Sequence, residues 1–133
     1  MKCIFCNIIK GKQKSFKVWE NRDFILLLVP QPINTGHIIL ITKKHIDYIF
    51  DLKEPLYSEI FRTAKKISFI LKKLSQAKRI GLAIEGFGVR HIHIHLVPVN
   101  KGNELNPLRA KRMPDDELQK MQVQFTKKFK KLK

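Results

Sequence analysis

Cysteine is scarce here: the 133 residues contain two, Cys3 and Cys6. Thiols only three positions apart cannot build a disulfide framework, which excludes a stapled secreted scaffold. No apolar run approaches the ~20 residues of a membrane span. The opening Met1-Lys2-Cys3-Ile4-Phe5-Cys6 also lacks a long apolar stretch followed by a small-residue cleavage site. Both absences point to a cytoplasmic protein with no membrane partner. Acidic residues are the third shortage: 11 against 27 Lys and Arg, for a formal net charge of +16 and a pI near 10.1. Such a field steers anionic partners toward the protein, whether nucleotides, nucleic acids or acidic surfaces. Much of the charge lies in Lys127, Lys128, Lys130, Lys131 and Lys133. A lysine-rich tail of this kind serves solubility or nucleic-acid binding. The length suits one core, so residues 1–133 are read as a single domain.

What is present divides into short, clear segments. Val18 to Glu20 and Asp23 to Val29 read as a hairpin around Asn21-Arg22. Pro30, Pro32 and Gly36 mark a loop, and His37 to Thr42 a third strand. From Glu54, the residues Leu56, Ile60, Ala64, Ile67, Leu71 and Leu74 fit one helical face, with Pro55 tolerated in the first turn. Arg79 to Ile84 and His91 to Val97 are two further strands joined through Gly86-Phe87-Gly88. Val99 to Met113 reads as an exposed loop. Pro114-Asp115-Asp116-Glu117 opens a basic C-terminal helix, 114–133, with Leu118, Met121, Phe125, Phe129 and Leu132 on its apolar side. The class is α+β: a five-stranded antiparallel sheet with one long helix and a C-terminal helix. Arg90 and Trp19 are assigned structural roles, and Glu85 serves the turn.

The most informative run is His91-Ile92-His93-Ile94-His95-Leu96-Val97-Pro98. Alternation with period two is the mark of a half-buried strand, so Ile92, Ile94 and Leu96 enter the core while three imidazoles share the other face. Two chemistries use such a row. One is metal binding, although His91 and His95 lie too far apart for one compact shell. The other is phosphoryl or nucleotidyl transfer, because neutral imidazole is a nucleophile near pH 7 and its neighbours can protonate a leaving group.

With φ standing for an apolar residue, the pattern HφHφHφφ resembles the signature of the histidine triad family of nucleotide hydrolases and transferases, and most closely its small Hint-like branch. Pro32-Ile33-Asn34-Thr35-Gly36-His37, the following Ile38 to His45, and the opening Cys3-Ile4-Phe5-Cys6-Asn7-Ile8-Ile9 resemble other segments of that family, so the likeness runs from about residue 3 to 98. It implies this same fold, dimerised through the sheet edge as a homodimer. It further implies that His93 attacks the α-phosphorus of a nucleotide substrate and forms a nucleotidyl-histidine, cleaving a phosphoramidate or phosphoanhydride bond. His95 and His37 then hold phosphate oxygens or assist the leaving group. Clustered imidazoles lower one another's pKa, which favours the neutral nucleophile.

The resemblance also bears on the cysteines. A redox dithiol is expected beside a βαβ pattern, which is lacking, while a structural zinc needs four ligands. Relatives with this pair complete the set at positions matching His45 and His91, which implies structural zinc on Cys3, Cys6, His45 and His91, against the alternative of two free thiols. No organic cofactor is implied. Ile4, Phe5, Ile8 and Leu27 match base-pocket positions and serve equally well as core residues; Gly86 and Gly88 could offer backbone N–H groups to phosphate. The family pattern is broken at Val29, which stands where an Asp commonly holds the ribose hydroxyls. An alternative reading is therefore a nucleotide- or nucleic-acid-binding protein with little catalysis, using its basic surface.

Overall fold

The computed structural model describes residues 3–132, so Met1, Lys2 and the Lys133 of the basic tail lie outside the described residues. Five strands form one antiparallel sheet: β1 Phe16–Glu20, β2 Phe24–Leu28, β3 Ile38–Thr42, β4 Arg79–Ala83 and β5 His93–Val99, in the order β1-β2-β3-β5-β4. The hairpin between β1 and β2 closes as the sequence predicts. Asn21 Oδ1 accepts from the N–H groups of Asp23 and Phe24 at 3.0 and 2.8 Å, so the side chain stands in for a backbone turn acceptor.

The helices are α1 Ile4–Ile9, α2 Leu56–Ser75 and α3 Asp115–Phe129. Each β2 residue is buried, because the sheet is covered on both faces. On one face Leu26, Leu28, Leu40, Ile94 and Leu96 pack against Ile60, Ile67 and Leu71 of α2 and Phe125 and Phe129 of α3. On the other, Ile25, Leu27, Ile39 and Ile41 meet Cys3 and Phe5 at the N-terminus. The register fixes the side to which each histidine belongs: Ile39 lies opposite His95 and Ile41 opposite His93, whereas Leu40 pairs with Ile94. The period-two reading of the histidine run is therefore observed, with its isoleucines on the helix side.

Two expectations shift, and one element appears that the sequence did not mark. β5 starts at His93, two residues later than read, because the Ile92 N–H bonds the Ile46 carbonyl instead of the sheet ladder. His91 therefore lies in the bend before the strand. α1 had no sequence signal beyond its apolar residues, as it is a helix of 6 residues capped by the Cys3 sulfur accepting from Cys6 N–H. The segment 99–113 is no simple exposed loop. Glu104 is buried, accepting from the Lys101 N–H at 3.0 Å and pairing with Arg109 at 3.3 Å, and Leu105 lies over β4. A Cβ at Gly81 would come within 2.9 Å of Leu105, so glycine is what lets the segment approach the sheet.

The basic C-terminal segment is part of the core on its inner side. Phe129 is fully buried and Trp19 Nε1–H donates to the Leu132 carbonyl at 3.2 Å, which also fits the packing role expected of Trp19. Arg90 is exposed beside Asp47. Phe129→Ala is expected to lower the unfolding free energy by about 3–5 kcal/mol, read as a reduced urea midpoint at unchanged slope. A loss below about 1 kcal/mol would mean that α3 does not dock as described.

Candidate functional site

A cavity of about 590 Å³ opens on the sheet face opposite α2. His93 and His95 line it together with Ile4, Phe5, Ile8, Leu27, Gly86 and Gly88, so every expected substrate-side residue faces the same space as two of the three expected catalytic histidines. The third, His37, reaches it through His95. Sequence reasoning missed Phe16, Ile39, Val97 and Leu105, which also line the cavity. Strand parity could have supplied Ile39 and Val97; nothing local marks Leu105, which arrives by the folding back of segment 99–113. Val29 is at the wall, and the acid that lines the cavity is Glu85, next to Gly86.

Hydrogen bonds decide the tautomers. His93 Nδ1 lies 2.7 Å from the His91 carbonyl, and a carbonyl can only accept, so Nδ1 carries the proton and Nε2 keeps a free lone pair. Ile33 N–H donates to His37 Nδ1 at 3.1 Å, which leaves the proton of His37 on Nε2. That Nε2–H faces His95 Nδ1 at 2.9 Å, so His95 in turn carries its proton on Nε2. One wall of the cavity thus offers a bare imidazole nitrogen on His93 beside an imidazole N–H on His95, the rings 4.9 Å apart. The loop that presents Ile33 is tied down by Asn34. Its side chain donates to the Pro98 carbonyl at 2.8 Å and accepts from Arg109 at 2.7 Å.

Burial keeps these rings neutral. It pushes His37 down to about 3, helped by the neighbouring His95, and His95 down to about 4, helped by His93. Burial also lowers His93, while the bond to the His91 carbonyl works in the opposite direction.

A second cluster lies beside the cavity. Cys3, Cys6, His45 and His91 bring one ligand atom each to within 4.8 Å of one another. His91 Nε2–H donates to the Thr42 carbonyl at 2.6 Å, which turns a bare Nδ1 toward the sulfurs at 3.4 and 3.6 Å. Cys6 Sγ and His45 Nδ1 are 3.2 Å apart, and the two Nδ1 atoms 3.1 Å. Tetrahedral bonds of about 2.0–2.3 Å require ligand-to-ligand edges of roughly 3.3–3.8 Å, so the donors are already close to the spacing a zinc ion demands. Burial and the adjacent Cys3 push the Cys6 thiol up, an effect a bound cation reverses.

The lowered histidine pKa values have a consequence for stability. Unfolded, His37 titrates near its ordinary 6.5; folded, near 3. Below pH 6.5 the unfolded chain binds more protons, so this contribution is complete above that pH and is lost as acidity rises toward the folded value. Urea titrations are expected to show stability falling more steeply between pH 6.5 and 4 for the wild type than for His37→Gln. Parallel slopes would mean that His37 titrates as in water.

Comparison with known proteins shows the family and the fold. The HIT domain model matches residues 10–102. An uncharacterized HIT-like protein of Borreliella burgdorferi is 29% identical over 119 residues, covering 78% of this chain and 86% of that protein. A Candida albicans adenosine 5'-monophosphoramidase is 32% identical over 108 residues, 72% of this chain and 69% of its own. Among solved structures, a zinc-bound histidine triad family protein of Mycobacterium smegmatis superposes with a TM-score of 0.82 at 24% identity, covering 99% of this chain and 96% of the other. With most of its length matched by the model, the chain belongs to the HIT domain family.

Proposed function

We propose that this protein hydrolyses, or transfers, a nucleotidyl group by way of a covalent intermediate on His93 Nε2. The observation that carries this reading is the 2.7 Å contact between His93 Nδ1 and the His91 carbonyl, beside a cavity that His93 lines. In the first step the Nε2 lone pair attacks the α-phosphorus. The bond to the leaving group breaks, and a departing amine takes the proton from His95 Nε2, leaving on His95 a negative charge that the positive charge formed at His93 offsets. His93 gains positive charge as it bonds to phosphorus, and the carbonyl on its Nδ1–H stabilises that charge in a buried place. In the second step water passes a proton back to His95 Nε2 and attacks phosphorus. The nucleoside monophosphate leaves and His93 is restored.

The amine expelled from a nucleoside phosphoramidate must leave protonated and so depends most on the His95 N–H. The carboxylate of an aminoacyl adenylate or the phosphate of a dinucleoside polyphosphate departs as an anion and would need only the nucleophile. The name of the Candida relative, an adenosine 5'-monophosphoramidase, puts phosphoramidates first. Ile4, Phe5, Ile8 and Leu27 would pack against the base, and the N–H groups of Gly86, which has a positive φ of 88°, and Gly88 would receive phosphate oxygens. Cys3, Cys6, His45 and His91 would hold zinc in a structural role that anchors α1 to the sheet; the Mycobacterium smegmatis structure with zinc supports that choice of metal. A second copy pairing along β4, an edge strand on which Leu82 is 45% exposed, belongs to the same reading, and sedimentation at twice the chain mass is its expected sign.

His93→Ala is expected to reduce release of nucleoside monophosphate from a phosphoramidate by about a thousandfold or more. Its zinc, measured by elemental analysis, should stay at the wild-type content. His95→Gln should slow the reaction about 10²–10⁴-fold with amine leaving groups and far less with one that departs unprotonated. Wild-type turnover by His93→Ala would contradict the assignment.

A further inference from the structure

The outward face of α2 takes no part in the core or the cavity. Ile60, Thr63, Ala64, Ile67 and Leu71 turn one side of this helix inward. Phe69 follows Ile67 by two positions, about 200° around the helix, and is 62% exposed on the opposite side. Lys65 and Lys66 precede it by four and three residues, and Lys72 and Lys73 follow by three and four. Those spacings make them its neighbours on the helix surface. All four are exposed, and none forms an ion pair among the described residues. The only acid of α2, Glu59, is occupied by Arg62.

Solubility would be served by lysine alone, and like charges clustered on one face disfavour the helix until an anion arrives. An aromatic ring inside a square of cations matches a ligand that offers a flat apolar group together with closely spaced negative charges. Lys65 and Lys72, like Lys66 and Lys73, are about 10 Å apart along the axis, a span that flexible side chains adjust to consecutive backbone phosphates. We infer that the outward face of α2 binds single-stranded nucleic acid, with a base stacked on Phe69 and phosphates held by Lys65, Lys66, Lys72 and Lys73. An acidic membrane fits less well, since a helix lying in a bilayer surface inserts a broad apolar face, and that of α2 is spent on the core. A second copy fits worst, because it would set these lysines against their mates. The inference is independent of chemistry at His93 and of the C-terminal lysines.

The test is fluorescence anisotropy of a short labelled single-stranded oligouridylate, titrated with the full chain at several salt concentrations. The wild type should bind saturably and more weakly as salt rises. Phe69→Ala should weaken binding about fivefold or more at fixed salt, and Phe69→Trp should retain it with emission quenched by the oligomer. Lys65→Gln with Lys72→Gln should reduce the slope of log affinity against log salt by about 1.4. The exposure of these positions leaves the fold intact, which circular dichroism checks, and hydrolysis at His93 should not change. Undiminished binding by Phe69→Ala would overturn the inference, as would a complete lack of oligomer binding at low salt. So would binding that follows Lys127, Lys128, Lys130 and Lys131 when these are replaced by Gln. Phe69-dependent attachment to phosphatidylserine vesicles without oligomer binding would assign the face to membranes instead.

Discussion

A backbone carbonyl decides which nitrogen of His93 carries the proton. The His91 C=O receives Nδ1–H, and a ring held in that way has its other nitrogen bare on the cavity side. This constraint needs no charged partner. Its effect is instead secured by burial, which lowers the proton affinity of His93, and by the same burial at His95 and His37. A carboxylate in place of the carbonyl would raise the imidazole's proton affinity and favour the doubly protonated, unreactive form.

His91 connects the two clusters. Its carbonyl orients His93 while its ring, fixed by the Thr42 carbonyl, aims Nδ1 at Cys3, Cys6 and His45. Anything that steadies the cysteine corner therefore steadies the acceptor that fixes the His93 tautomer, two residues along the chain. A chain of donors performs the same task from the other side. The Ile33 N–H sets His37, His37 sets His95, and Asn34 with Arg109 holds the loop from which Ile33 projects. Neutral side chains and backbone groups thus specify a complete proton arrangement within an apolar surround, where each bond is stronger than it would be in water.

Much of this was legible in the sequence because it follows from periodicity. Alternation in Ile92, Ile94 and Leu96 gave their face, the i, i+3 and i, i+4 spacings of Ile60, Ala64, Ile67 and Leu71 gave α2, and Asn21 gave the hairpin. What escaped depends on contacts between distant segments. Ile92 leaves the ladder for Ile46, which shortens β5 and places His91 in a bend. Leu105 reaches the cavity because Glu104 is held by backbone N–H groups and Gly81 makes room, a combination with no local pattern. The tautomers were outside the reach of sequence altogether, since they follow from the distances of ring nitrogens to the His91 carbonyl, to the Ile33 N–H and to one another.

The measurement closest to the central claim is long-range proton–nitrogen NMR of the imidazole rings at neutral pH, with His93 assigned by substitution. The account requires a protonated Nδ1 and an unprotonated Nε2 on His93, and a protonated Nε2 on His95. An imidazolium at residue 93, or a proton on its Nε2, would contradict it.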